Sequence, residues 1–450
     1  MFVGEIGIEG NDKTRAWVIL REMTFAPGDS IERDRLDAEL ERSRTSVYNL
    51  GLFTSVIFEP TVQADVLLLR IVVQERWYLW GSPEVDVEER NAYDVLEALR
   101  RRELRRLVYG ADLTWRNVSG RNETLLLTGQ AGFSQRLRID LLRPALWRRY
   151  NTDLRVGVAL AREKEVIIGT AQGRVVWQGL AGGDLQRSIS TYVGAARRFD
   201  PFRTLYAELS WRQVVVSDSL YLFDLDGAAP PYLPRMATRL AYPGLLLSYA
   251  VDRRDIRSFP LSGSKYQLLL RCGVVPGGSF VKGGATWAHH LPMGRRWNLA
   301  YGAHLIATLG DSLPFVEKSV IGIDRADFQG ISTELRGYEP YVITGTWVSM
   351  VKTEWKYAIF PRRIVHLSRI PYRRFRELPA GVYLGAYGDA AYVADRSFSN
   401  QDTTFTGRWL LGYGVGLNLT GWYDLLMRIE YSRNLRGEGA IYLHATVPIK

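Results

Sequence analysis

Residues 204–212 read TLYAELSWR, and their parity decides the fold. Leu205, Ala207, Leu209 and Trp211 fall on one face of an extended chain, and Thr204, Tyr206, Glu208, Ser210 and Arg212 fall on the other. Period two sustained in this way is a strand with one dry face and one wet face. The same split recurs far along the chain. Val351, Trp355 and Tyr357 oppose Lys352, Glu354 and Lys356; Met427, Ile429 and Tyr431 oppose Arg428, Glu430 and Ser432. Alternation alone fits a soluble sandwich and a membrane barrel equally, since the two differ in where the water lies.

Composition separates them. Of 450 residues, 46% are hydrophobic and 24% charged, and the mean hydropathy is -0.12. The run Val66 to Val73 is broken by Arg70, and no stretch reaches the ~18 apolar residues of a membrane helix. A helical membrane protein is excluded. A closed barrel is the other structure that satisfies every backbone group in lipid, and alternation keeps its hydropathy near neutral. Aromatics make up 12%, with 24 Tyr and 13 Trp against 16 Phe, a balance suited to bilayer interfaces. From Tyr109 onward roughly 340 residues give about 21 per strand and connection for a sixteen-stranded barrel.

The charge is 58 − 48 = +10, mostly arginine spread through the chain, which points to a polar lumen and headgroup contact and away from nucleic acid. A single Cys272 gives no disulfide framework. Met1-Phe2 stands directly before the first strand with no export signal, so a processed or truncated N-terminus is expected.

The first seventy-five residues read differently. A short strand over 5–8 is followed by the turn Gly10-Asn11-Asp12, with Asp12 or Thr14 as cap for a helix from Thr14 to Met23. Pro27-Gly28-Asp29 ends that segment. Ser30 precedes a second helix carrying Leu36, Leu40, Val47 and Leu50, and Gly51 closes it. Residues 53–58 then alternate, and Val66 to Val73 forms a more buried strand. The order is βααββ, a small α+β domain over 1–75.

The pieces "IEGNDKT", "YNLGLFTSVIFEP" and "LLLRIVVQE" resemble a POTRA domain, the module that precedes barrels of the BamA-like outer-membrane assembly-factor superfamily. The most specific piece is "NLGLF" followed by Ser55-Val56. The resemblance implies that Phe53 to Glu59, with Phe53, Ser55 and Ile57 as candidate residues, is an edge strand offering backbone groups to an unfolded client.

Residues 76–108 read as a junction, with the aromatic run "RWYLW" and an amphipathic basic helix from Tyr93 to Leu107 that covers the barrel mouth or lies at a headgroup surface. The barrel is expected over 109–450. Its first and last strands are placed at Tyr109 to Asn117 and Gly439 to Val447, with Gly437, Gly439 and Pro448 leaving that seam short of hydrogen bonds. Gly412, Gly414 and Gly416 share one face and leave room inside the barrel.

"TELRGYEP" resembles the superfamily's Val-Arg-Gly-aromatic signature, which lies on an extracellular loop folded into the lumen. The resemblance implies that Arg336, Gly337 and Tyr338 enter the barrel and that Arg336 pairs with Asp389 in "AYGDAAY", where Ala391 replaces the usual Gly. "DRRDIRSFPLSGSKYQ" at 252–267 resembles a strand-turn-strand stretch shaped by Asp255, Pro260 and Gly263.

No nucleophile elbow, phosphate loop or zinc motif is present, and adjacent His289 and His290 point to opposite faces of a strand. No catalytic, metal or cofactor site is expected. The fold class is therefore a membrane all-β protein, a sixteen-stranded antiparallel transmembrane barrel behind one POTRA-like domain, in a bacterial outer membrane with that domain in the periplasm. Its expected partners are unfolded outer-membrane proteins, outer-membrane lipid and accessory lipoproteins, and its expected work is insertion or translocation of client proteins. The alternative is a passive pore or surface structural barrel.

Overall fold

The computed structural model describes all residues except 88–106, 148–150, 172, 180–182, 222–231, 311–316, 318, 322–332, 373–374, 396–403 and 447–450. The N-terminal domain comprises β1 (Phe2–Glu9), α1 (Ala16–Leu20), α2 (Leu36–Tyr48), β2 (Phe53–Gln63) and β3 (Val66–Glu75). Its sheet has the order β1-β3-β2, β1 parallel and β2 antiparallel to the central β3. Val18, Ile19, Leu40 and Val47 of the helices bury against Val56, Leu67, Leu69 and Ile71 of the sheet.

Both helices are shorter than the sequence suggests. Thr14 does not cap α1, because its hydroxyl and amide bond the Glu75 carboxylate at 2.6 and 2.7 Å. Ser30 bridges to Phe2, so a 3-10 turn over Arg33–Arg35 intervenes before α2 begins. Gly51 follows α2 at φ +69°, the left-handed conformation that stops a helix at little cost to glycine.

Among the described residues the remaining chain forms an antiparallel sheet of sixteen strands that follow one another in chain order, with two small two-stranded sheets, Glu165–Ala171 with Arg174–Gly179 and Ser319–Ile321 with Ile343–Gly345, set apart from it. The large sheet opens with β4 (Leu79–Val87) and ends with the strand Gly439–Thr446. This corrects the expected boundaries: residues 79–87 are not junction, and the strand expected at Tyr109 to Asn117 is the second of the barrel, Leu107–Arg116. Pro83 and Gly81 hid β4. An edge strand accommodates a proline whose nitrogen faces away from its one partner, and the bond from Arg116 N to Tyr78 O sets the parity that turns odd-numbered nitrogens of β4 outward. The basic helix expected from Tyr93 falls outside the described residues, apart from Leu107, which is in a strand; so do Val447 and Pro448.

The strand over Arg203–Val216 shows which side is wet. Leu205, Leu209 and Trp211 are 41, 68 and 47% exposed on the outside, whereas Tyr206 and Glu208 are 6 and 8% exposed inside. A soluble protein would reverse this, so the exterior is the lipid face. Among the described residues no helix is long and apolar enough to cross a membrane. Strand lengths are uneven around the wall, from 9 residues in Thr124–Gly132 and Leu426–Asn434 to 20 in Trp347–His366.

Candidate functional site: a clamped loop and a docked domain

In the connection between the wall strands Trp297–Gly310 and Trp347–His366, the described stretch over residues 333–346 turns back into the barrel. Arg336 is its centre: Nε and Nη2 donate to Asp389 Oδ2 and Oδ1, both at 2.7 Å, and Nη2 also meets Thr353 O at 3.3 Å. The guanidinium lies over the Tyr387 ring, 3.7 Å from its centroid, with Glu354 and Glu430 each at 3.7 Å from Nη1. Both side chains are shielded, at 4 and 0% exposure. A planar fork, an aromatic face and three carboxylates match arginine and would not serve lysine.

The neighbouring residues explain why this stretch fits. Gly337 has φ +87°, and a Cβ on Gly412 would stand 1.8 Å from Arg336 O, so the wall strand Trp409–Thr420 must be bare where the loop backbone crosses it. Asn434 Nδ2 donates to Gly337 O at 2.9 Å. Tyr338 packs at 5.8 Å from the Phe405 ring, in an apolar cluster with Leu335, Ile343, Ala391 and Leu410. Ala391, which departs from the signature, is fully buried there.

Sequence reasoning missed a second anchor on the same connection. Glu317, fully buried, accepts from Tyr242 OH at 2.5 Å and pairs with Arg212 at 3.3 Å and Arg271 at 3.2 Å. The loop thus gives a cation to an acidic part of the wall and an anion to a basic part, which fixes its direction as well as its depth. Its partners, from Arg212 to Asn434, lie on far-separated strands, as only a sheet curled into a barrel allows. Cross-wall parity of Arg212 and Arg271 was the one available signal.

At the other mouth the N-terminal domain is docked. Asp424 Oδ2 meets Arg76 Nη1 and Asp424 Oδ1 meets Arg362 Nη2, both at 2.9 Å, and Tyr48 OH donates to Oδ1 at 3.1 Å. Burial alone would raise the Asp424 carboxyl, but Arg76 and Arg362 outweigh it and hold it below the ordinary carboxylate range. Glu22 is treated the same way by Arg198, which forks onto it at 2.5 and 2.6 Å. Asn49 donates to Asp255 O at 2.8 Å, and the carboxylate of Asp255 takes the amides of Ile256 and Leu261 at 2.8 and 3.0 Å. The turn so shaped sends Phe259 into the lumen, 4.8 Å from the Tyr383 ring and beneath Lys356.

Phe53, Ser55 and Ile57 lie on β2, which among the described residues pairs on one side alone. The other outer strand, β1, is partly covered: Val3 N bonds Asp29 O and Gly28 N bonds Val3 O, at 2.9 and 2.8 Å. On β2, the bond from Arg76 N to Leu52 O and the bulge before Ser55 turn the amides of Ser55 and Ile57 toward β3. The amides of Val56, Phe58 and Val62 face the open edge, as does the hydrogen-free nitrogen of Pro60.

Residues 1–76 match the POTRA family model described as surface antigen variable number repeat. Over 76 residues, 17% of this chain and 9% of the other, the sequence is 34% identical to the outer membrane protein assembly factor BamA of Nitratidesulfovibrio vulgaris. CdiB from Escherichia coli superposes over 99% of this chain and 75% of its own, with TM-score 0.56 and 13% identity. BamA from Haemophilus ducreyi lacking POTRA domains 1-3 superposes over 99% and 84%, with TM-score 0.52 and 14% identity. The fold is that of a BamA-like barrel behind a POTRA domain. A BamA-like barrel lies in the outer membrane with its POTRA domain in the periplasm, so the Asp424 and Glu22 contacts mark the periplasmic mouth. The Arg336 loop enters from the opposite side.

Proposed function

We propose that the chain inserts or translocates outer-membrane proteins, receiving an extended client segment at the POTRA edge and passing it to the barrel seam. The observation that carries this reading is the seam itself. Among the described residues no backbone pairing joins β4 to Gly439–Thr446, and Pro83 on β4 has no hydrogen to offer across the gap. Two strands with unpaired edges are a template for a further strand. The POTRA edge β2 supports the first step, since its even-numbered amides stand free on the periplasmic side.

A passive pore, the competing reading, would have a ring closed at the seam and a clear lumen. Here the Arg336 loop fills the lumen from one mouth and Phe259 enters from the other. Arg336 and Asp389 act, on this proposal, as the anchor that keeps the loop inside while the seam works. Depleting the protein from its host is the direct test: the folded levels of other outer-membrane barrels are expected to fall. Unchanged levels would return the chain to the passive-pore reading.

A further inference from the structure

Paired arginines stand at Arg197-Arg198, Arg253-Arg254, Arg295-Arg296 and Arg362-Arg363. The fold brings all four pairs to the periplasmic mouth, three at or beside strand ends and Arg362-Arg363 at the bulged stretch before the end of Trp347–His366. Adjacent residues of an extended chain point to opposite sides, so a pair at a strand end divides. One member turns to an internal carboxylate: Arg198 to Glu22, Arg254 to Asp252 at 2.8 Å, Arg362 to Asp424. The other member, Arg197, Arg253 or Arg363, is exposed, and both Arg295 and Arg296 are.

The exposed members extend the lipid-facing rows. Arg197 follows Ile189 and Val193, and Arg253 follows Leu245, Leu247 and Tyr249, all exposed apolar residues of the same parity. Aromatic rings sit beside them: Arg197 lies 5.4 Å over Phe199, Arg363 lies 4.2 Å over Phe360, and Arg296 donates to Tyr357 OH at 3.2 Å. Two carboxylates near them in the chain are already engaged, Asp200 by Arg203 and Asp252 by Arg254.

We propose that these outward arginines form a partial ring, on the wall from Gln186–Arg198 to Trp347–His366, that binds the phosphates of anionic phospholipids in the periplasmic leaflet. Their height, just past the apolar belt, is that of the headgroups, and a guanidinium meets phosphate oxygens as a two-toothed fork. Their parity selects lipid over an acidic protein, since a soluble partner approaching the POTRA domain from the periplasm would have to displace the bilayer to reach them. The proposal needs only the barrel and its orientation, and stands whether or not the chain inserts clients.

The test uses the full chain in detergent with added phosphatidylglycerol or phosphatidylcholine, lipid retention being read by native mass spectrometry. The chain is expected to retain phosphatidylglycerol preferentially. R197Q/R253Q/R363Q should reduce that preference by about tenfold or more, and the corresponding lysine variant should keep most of it. Equal retention of both lipids by the unaltered chain, or a preference that survives the glutamine variant, overturns the proposal. If the glutamine variant does not fold, salt decides on the unaltered chain: the preference must fall as ionic strength rises, and a preference indifferent to salt overturns the ring.

Discussion

Arg336 and Asp389 form a shielded, forked pair, so the two residues behave as one unit. Removing either leaves the other charge buried without its partner, a loss of about 3 kcal/mol or more. Arg336→Ala and Asp389→Ala are each expected to lower the midpoint of urea unfolding, with the double variant costing little more than one single. The coupling is therefore expected at about 3 kcal/mol. Additive losses in that cycle would show that the pair does not act as a unit. Gly412 makes a sharper point, because its replacement adds one carbon and no charge. A Cβ there meets Arg336 O at 1.8 Å, a backbone atom that cannot step aside unless the loop moves. Gly412→Ala should therefore expose the 333–346 segment to protease while leaving the wall strands folded, at a cost of about 1–3 kcal/mol.

At the scale of strands, the POTRA edge yields a paired experiment. Val62 is 48% exposed and its amide faces the open edge, so Val62→Pro removes an outward donor without touching the ladder to β3. Ile57 faces the ladder. Ile57→Pro is expected to destabilise the domain by about 3 kcal/mol or more, seen as loss of its thermal transition, whereas Val62→Pro should keep that transition and lower crosslinking of an extended client peptide to β2. Full crosslinking to folded Val62→Pro would remove backbone pairing from the proposed mechanism.

The elements also show what the sequence could and could not reveal. Strands such as Arg203–Val216 were legible because one wet and one dry face write the period directly into the residues. β4 was not, since proline and glycine in a run normally mean a turn, and only the absence of a second neighbour makes Pro83 tolerable. The Arg336 and Asp389 motifs stood out through resemblance alone. Glu317 left no local trace, its partner Arg212 lying 105 residues away. The paired arginines were visible as letters, but their division into inward and outward members depends on strand ends that only the fold defines.

On the scale of the whole molecule, the POTRA domain is held to the barrel by carboxylates whose ionised forms are favoured in the docked state. Asp424 and Glu22 both lie below their ordinary values of 3.8 and 4.5, because arginines outweigh the cost of burial. A depressed docked-state value means the contribution is complete above the ordinary carboxylate range and is lost as pH falls through the docked-state value. Docking should thus be unchanged at neutral pH and weaken in acid below the ordinary range. Faster amide exchange at Tyr48, Asn49 and Arg76 on acidification, after correction for the intrinsic pH dependence of exchange, would register it. Exchange that stays constant down to pH values where the rest of the barrel unfolds would assign the docking to neutral contacts instead, such as those of Asn49 with Asp255 O and of Asn117 with Thr14.

The uneven wall has a consequence for the bilayer's thickness. Near the seam the strands Leu426–Asn434 and Thr124–Gly132 have nine residues each, which at ~3.3 Å per residue and a tilt of ~40° span only ~23 Å, less than the ~25 Å apolar band usual for such barrels. The long strand Trp347–His366 has height to spare. Acyl chains beside the seam must then shorten or tilt to avoid stranding their methylenes against polar strand ends, while chains on the long-strand side remain at ease. The membrane would be locally thin and elastically loaded at the place where two strand edges stand unpaired, and an incoming hairpin there would have less hydrocarbon to cross.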